Sequence, residues 1–534
     1  MSGHPDGQAP KRDAKGGRTQ RAGLAAVFAY LQFGLSIAVG IALVPFVLHH
    51  VGVRLYGYWL ASGEVLAYAA MADLGVLGVV PWLIAEADGR NDRQGVRRLM
   101  STGFWAAVVV ALIYAVLVVV LWQIAPGVLK LAPADRAAIV GPLTLIAVVT
   151  AIVMPGRIFG TVLLGLQDVK FYGTLSTVSW AIDLAIIVTL LLKGYGLYAL
   201  ALGAAVPSIL SVVVTFARLR MIAPDLMSGW PRPSLDEVAR LFREGFGAWL
   251  GAWGWRLSAA TDAIVLASLG NPVAITMLAM TAKLGQMLTQ MSWVPGDSSL
   301  VGLAQLSGEQ RPDRMREAAA AVFRVYLALG TAGMCVVLAV NGAFVHGWVG
   351  GHLFAGGRVN AVLATLIVVG TVSHGIATIA SVLGKRMHVG VATLIAGVVQ
   401  VGLAVLLSRR FGVIGVPLAA VCAHALVLIP SLMPAFSDRT GLTPVRFARD
   451  VVRPWAARSL PVIALCALAG PILYPVPMWI SIPLGGVTAL VYLWFVRSLV
   501  LGYPPVATMI RARLASVRLD RFFPVAEVEH PPVR

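Results

Sequence analysis

Long uncharged apolar runs alternate with short basic segments along this chain. Ala106 to Leu121 carries no charge, and neither does Gly196 to Ala217. About 20 apolar residues in a row cross the hydrocarbon core of a bilayer, so such runs predict membrane-spanning helices. A window of about 19 residues finds about 14 of them. They fall at 24–49, 56–85, 100–125, 137–165, 171–193, 196–218, 245–269, 272–303, 318–345, 359–384, 387–408, 412–436, 455–475 and 477–500. Several connections are short, which predicts antiparallel neighbours.

The polar segments test this count. With a cytoplasmic N-terminus, one set of loops should hold most of the Lys and Arg. That set contains Arg90, Arg93, Arg97 and Arg98, and later Arg439, Arg446, Arg449 and Arg453. The opposite set holds only Arg54, Lys130, Arg136, Lys193, Arg358, Arg409 and Arg410. Both termini are therefore expected inside.

Composition agrees. The 534 residues are 58% hydrophobic and 12% charged, against about 25% charged in soluble domains. No soluble core of this length could bury that apolar surface. The net charge of +18 is dealt out between the apolar runs. That distribution argues against a nucleic-acid partner, which would ask for one basic patch. Cys335, Cys422 and Cys466 lie within apolar runs and fit small core residues.

The spans predict an order of parts: a basic N-terminal tail over 1–21, a transmembrane half over 22–220, a cytoplasmic linker over 221–244, a second half over 245–500 and a basic tail over 501–534. The first apolar run is too long for a signal peptide and shows no clear cleavage site. In the linker, Ser234 with Glu237 makes a capping-box pattern. Leu235, Val238, Leu241 and Phe242 then follow at helical spacing, which predicts a short amphipathic surface helix. The basic stretch from Thr508 to Phe523 would suit an anionic inner leaflet.

The halves look alike. Lys193-Gly194-Tyr195-Gly196-Leu197 enters the sixth span, and Arg410-Phe411-Gly412-Val413-Ile414-Gly415 enters the twelfth. Gly196 and Gly412 are 216 positions apart, and Gly52 and Gly270 are 218 apart. Similar offsets predict a duplicated six-helix unit, leaving two spans as a C-terminal addition. Repeats of this kind are common in secondary transporters. The expected fold is thus all-α and integral to the membrane, with two six-helix repeats plus two C-terminal helices.

Several stretches then resemble one family. They are Leu43-Val44-Pro45-Phe46, Val51-Gly52, Tyr56-Gly57-Tyr58-Trp59, Tyr68, Asp73-Leu74-Gly75, Leu164-Gly165-Leu166-Gln167, Asp262, Leu269-Gly270 and Trp348-Val349-Gly350. The chain resembles the oligosaccharide and polysaccharide flippases, which are O-antigen flippase-like. Their superfamily also holds lipid II flippases and multidrug exporters. The resemblance spans about 24–500 and its motifs are mostly structural. It implies two six-helix bundles around a central cavity, and translocation of an undecaprenyl-pyrophosphate-type oligosaccharide across the cell inner membrane by alternating access. It implies a lipid-linked oligosaccharide and membrane lipids as partners, with a polymerase and glycosyltransferases in the same pathway, and no cofactor.

A polar, phosphate-bearing headgroup needs a hydrated, partly cationic route, because a charge at the bilayer centre is costly. Lys283, Arg256 and Arg157 are the candidate substrate-binding cations. Asp262, Asp73, Glu64 and Asp183 are candidates for a coupling proton or sodium ion, or for pairing with those cations. Arg256 and Asp262 stand roughly 120° apart on a helix and are not expected to pair with each other. Glu64 and Asp73 stand roughly 180° apart, so at least one should serve packing or a neighbouring helix. Tyr56, Tyr58, Trp59, Trp253, Trp255 and Trp293 could stack on sugars or form interfacial belts. His374 and His424 fit hydrogen-bonded core histidines.

Two other readings compete. A cation-coupled multidrug exporter would share the fold and use a carboxylate-rich pocket. A membrane glycosyltransferase or polymerase would need a large outer loop, and every outer loop is short. There is no P-loop pattern and no metal-ligand spacing, so the chain is not expected to be an enzyme.

The topology has a direct check. Arg97→Cys and Arg446→Cys variants should react with an impermeant thiol reagent only from the cytoplasmic side, and Arg136→Cys only from outside. Labelling at position 97 from outside would overturn the arrangement.

Overall fold

The computed structural model describes residues 39–71, 76–166, 168–227, 231–233, 235–300, 303, 306 and 312–501. All regular elements among them are helical. Both tails, Asp73, Gln167 and Ser234 lie outside the described residues.

The described part of each expected span is helical, with informative differences: the first is described only from residue 39, and the second falls on Val53–Ala70 and Val76–Gly89. The fourth is divided into Pro133–Val153 and Arg157–Gly165. Pro155 lies at the break, where a missing N–H and a fixed φ interrupt the helical ladder. Gly156 follows, and a Cβ there would collide with Val212 on the helix Leu197–Ile222. The seventh is lengthened, since the linker helix and the span form one helix, Leu235–Ser268. Glu237, the acid of the expected capping box, accepts from the Thr102 hydroxyl at 2.9 Å. Asn271 caps the eighth helix, Pro272–Ser298, by accepting from the Ala274 N–H at 3.1 Å.

Among the described residues, nine helical stretches are long and apolar enough to cross a membrane. Their outer faces carry large apolar side chains. On Arg93–Val128, Leu112 is 65% exposed, Val116 63% and Val119 62%. Leu465, Leu468 and Ile472 form a like face on Arg453–Leu473. In water this surface would be an aggregation patch, whereas in lipid tails it is ordinary contact. The chain is a multi-pass membrane protein.

The chain forms two units. One comprises Met1–Gly52, Leu66–Ile124 and Ala132–Gly245. In it, Val169–Leu192 and Pro133–Val153 pack on Leu197–Ile222, and Val76–Gly89 packs on Arg157–Gly165. The other comprises Val53–Val65, Ala125–Leu131 and Phe246–Arg534. Its centre is Pro312–Val349, which packs against Pro272–Ser298, Gly357–Val382, Arg453–Leu473 and Met478–Leu501. The start of the second span therefore clusters with the later helices, not with its sequence neighbours.

The duplicated glycines share a backbone conformation. Gly196 has φ 54° and ψ −130°, and Gly412 has φ 66° and ψ −141°. This region is essentially reserved for glycine, so the sixth and twelfth spans begin with the same backbone turn.

Glycine also sets helix spacing in the second unit. Leu235–Ser268 meets Arg386–Phe411 along Gly247, Gly251 and Gly254 on one side and Gly390 and Gly397 on the other. A Cβ at Gly254 would collide with the Thr393 carbonyl. A Cβ at Gly397 would lie 2.6 Å from the Gly254 carbonyl oxygen. Small residues let membrane helices approach to backbone contact. We expect Gly254→Val to destabilise the protein by about 1–3 kcal/mol through overpacking. It should appear as a lower melting temperature in detergent. Gly402→Ala, whose Cβ meets nothing within 4 Å, should leave that temperature unchanged.

Candidate functional site

The glycine seam places a polar group in the second unit. Because the two backbones nearly touch, Gln400 on Arg386–Phe411 reaches across and donates its Nε2 to the Ser258 carbonyl at 2.7 Å. Its side chain also lies beside the Asp262 carboxyl, one turn further along. Asp262 Oδ1 is buried with no hydrogen-bond partner.

Glu64 approaches the same helix from Val53–Ala70. That approach is fixed at the helix start. A Cβ at Gly57 would collide with the Pro272 carbonyl, and Thr276 donates its hydroxyl to the Val53 carbonyl at 3.0 Å. Glu64 Oε2 then lies 2.8 Å from Arg256 Nη2, with side chains 31% and 33% exposed. Glu64 is also close enough to Asp262 for their charges to interact. Glu64, Arg256, Asp262 and Gln400 thus form one group, and Arg256 pairs with Glu64 and not with Asp262.

The other candidates stand apart from this group. Lys283 is half-buried within Pro272–Ser298 and has no ion-pair partner among the described residues. Its helix is pinned two residues earlier, where the Thr281 carbonyl accepts from Asn341 Nδ2 at 2.8 Å. Asn341 also donates to Asn360 at 2.7 Å, and Asn360 donates to the Val337 carbonyl at 2.9 Å.

In the first unit, Arg157 is exposed at the start of Arg157–Gly165. Asp183 lies against Gly203, where a Cβ would come 2.6 Å from its Oδ1. Neither has an ion-pair partner among the described residues.

The candidate aromatics divide. Tyr58 is buried and donates to the Lys130 carbonyl at 3.4 Å. Trp255 is exposed and meets Trp293 edge-on at 5.6 Å. Trp293 stacks on His374 at 4.0 Å, with planes 7° apart. His424 is a buried core histidine, its Nδ1 bonded to Ser373 Oγ at 2.7 Å.

Asp297 is the residue that sequence reasoning missed. Its Oδ1 accepts from Tyr326 Oη at 2.8 Å and lies 3.0 Å from His374 Nε2. A carboxylate inside the expected eighth span, beside Pro295-Gly296, was the available signal.

The ion pair has an energetic signature. Removing one partner leaves a half-buried charge unpaired, whereas removing both leaves none. Glu64→Gln and Arg256→Gln should each cost roughly 1–3 kcal/mol, below the full range for buried pairs because both side chains are about one-third exposed. The double variant should lose less than the sum, by about 0.5–1 kcal/mol or more. Melting in detergent measures this, and additive losses would show that the two charges are not coupled.

No protein-family model matches the chain, and no curated protein matches it. Solved structures do. An inward-facing multidrug resistance MATE family transporter of the MOP superfamily superposes with a TM-score of 0.59 at 15% identity, over 77% of this chain and 94% of the other. The lipid II flippase MurJ, in an inward closed conformation, also gives 0.59, at 13% identity, over 88% of this chain and 100% of that one. An outward-facing MATE family transporter gives 0.54 at 14% identity, over 78% and 96%. At such identities the agreement is one of fold, and it extends over most of every chain compared. The helices described above therefore have the fold of these MATE family transporters and of the lipid II flippase MurJ.

Proposed function

We propose that the protein is a flippase for an anionic, lipid-linked oligosaccharide of the undecaprenyl-pyrophosphate type. It would work by alternating access in the cell inner membrane, with both termini cytoplasmic. The observation that carries this reading is Lys283. It stands about eleven residues, or roughly 16 Å, into its helix, close to the middle of a core about 30 Å thick. It has no ion-pair partner among the described residues. An unpaired cation at that depth is costly unless something anionic visits it. A pyrophosphate does so by replacing its hydration with charge-assisted hydrogen bonds. Arg256 is less available, since Glu64 already holds it, and Arg157 is the third candidate contact. Asp262 is our first choice for a coupling ion, because one of its oxygens is buried without a donor. Glu64, Asp183 and Asp73 rank behind it.

A second reading is a cation-coupled multidrug exporter. The likeness to a MATE transporter favours it as much as the likeness to MurJ favours the first. The two readings ask opposite things of Lys283. A cationic drug is repelled by it and a phosphate is attracted.

The test is complementation of a flippase-deficient strain, with drug efflux measured beside it and protein level checked by blot. Lys283→Ala should abolish surface polysaccharide, and Lys283→Arg should retain part of it. Membrane insertion should survive, because losing a charge eases insertion. Full complementation by Lys283→Ala at normal expression would remove Lys283 from headgroup binding. Drug efflux that survives in Lys283→Ala, without polysaccharide export by the wild type, would favour the exporter.

A further inference from the structure

We propose that Asp297, His374 and Tyr326 form a one-proton binding site within the second unit, separate from the Glu64–Arg256–Asp262 group and independent of which cargo is carried.

Three helices bring these side chains together, and two glycines make that possible. Tyr326 projects from Pro312–Val349. A Cβ at Gly296 would collide with its ring, and a Cβ at Gly375 would lie 2.9 Å from it. The phenol is therefore clamped between the backbones of Pro272–Ser298 and Gly357–Val382. The residues beside those glycines in sequence are Asp297 and His374. Tyr326 Oη donates to Asp297 Oδ1 at 2.8 Å. His374 Nε2 lies 3.0 Å from Oδ1 and 3.2 Å from Oδ2 of the same carboxylate. His374 stands eight residues before Val382, about 12 Å from that helix end. The site thus joins the interior of Gly357–Val382 to the last turn of Pro272–Ser298.

Charge decides what the site must hold. With a neutral imidazole donating from Nε2, the three side chains carry one net negative charge in the bilayer. Adding one proton brings the net charge to zero. The carboxylate already accepts from both neighbours, so the proton goes to the other imidazole nitrogen, Nδ1. The product is an imidazolium–carboxylate pair, the stronger kind of hydrogen bond. No protein cation is seen to take that place among the described residues. Arg256 is paired with Glu64, and Arg324 donates to the Asp450 carbonyl. Lys283 lies fourteen residues earlier on the Asp297 helix. His424 is bonded to Ser373. The Trp293 indole, stacked at 4.0 Å, offers its π-face to an imidazolium. Asp297 is 39% exposed and His374 21%, so a proton can reach the pair.

Trp293 makes the protonation observable. An imidazolium stacked on an indole quenches its fluorescence by electron transfer, and a neutral imidazole does so far less. The measurement is the emission of the full chain in zwitterionic lipid nanodiscs minus that of Trp293→Phe, between about pH 5 and about pH 9, the range in which histidine changes charge. The difference signal should be at least about twofold brighter at the alkaline end. His374→Phe keeps a stacked ring without a titrating nitrogen, and its difference signal should not vary with pH. His374→Gln serves the same purpose should the phenylalanine variant fail to fold. Asp297→Asn removes the charge that holds the proton and should weaken quenching near neutral pH by at least about twofold. A flat wild-type difference signal would overturn the proposal, as would a pH response that survives loss of His374. Quenching at neutral pH that is unchanged by Asp297→Asn would overturn it too.

Discussion

Inside a bilayer there is no water to complete a hydrogen bond, so each polar group must find its partner within the protein. The rest of this structure depends on that constraint. It makes every described element a helix. It sends span hydroxyls back to carbonyls one turn earlier, as with Thr177 to Gly173, Ser208 to Ala204 and Thr215 to Ser211. It leads Asn341 to donate to Asn360 and to the Thr281 carbonyl, and Asn360 to donate to the Val337 carbonyl.

Meeting that constraint between helices requires close backbones, and glycine supplies the closeness. The seam from Gly247 to Gly254 against Gly390 and Gly397 lets Gln400 bond the Ser258 carbonyl beside Asp262. Gly57 lets the Glu64 helix start against Pro272. Gly296 and Gly375 let Tyr326 reach Asp297. Each of these polar groups of the second unit therefore has a glycine contact beneath it, and side chains too short to bridge ordinary helix spacing can meet.

The second unit treats its charges in three ways. Arg256 is neutralised by a carboxylate. Asp297 is solvated by a phenol and an imidazole. Lys283 has no ion-pair partner among the described residues. A purely structural charge belongs to the first two kinds. Under the proposed function the third has a use, since a mobile anion would supply what the protein does not. That contrast singles out Lys283 more sharply than its depth alone.

Apolar runs, loop charges and the glycines before the second, sixth, eighth and twelfth spans were enough to place the helices and to suggest the repeat. They act locally, through hydration and through backbone conformations only glycine adopts, so they are written where they act. Pairing was not legible in that way. Helical angle separates Arg256 from Asp262, and the structure agrees, yet that angle could not name Glu64 as the partner. Glu64 precedes Arg256 by almost two hundred positions, and only packing at Gly57 brings them together. Asp297 lies inside an expected span, but a lone carboxylate there names no partner until Tyr326 and His374 arrive from two other helices. Helical order follows from transfer of each segment into lipid, which a sequence encodes residue by residue. Which charges are paired, solvated or left alone follows from contacts at a few ångströms between distant segments, and only the tertiary structure decides those.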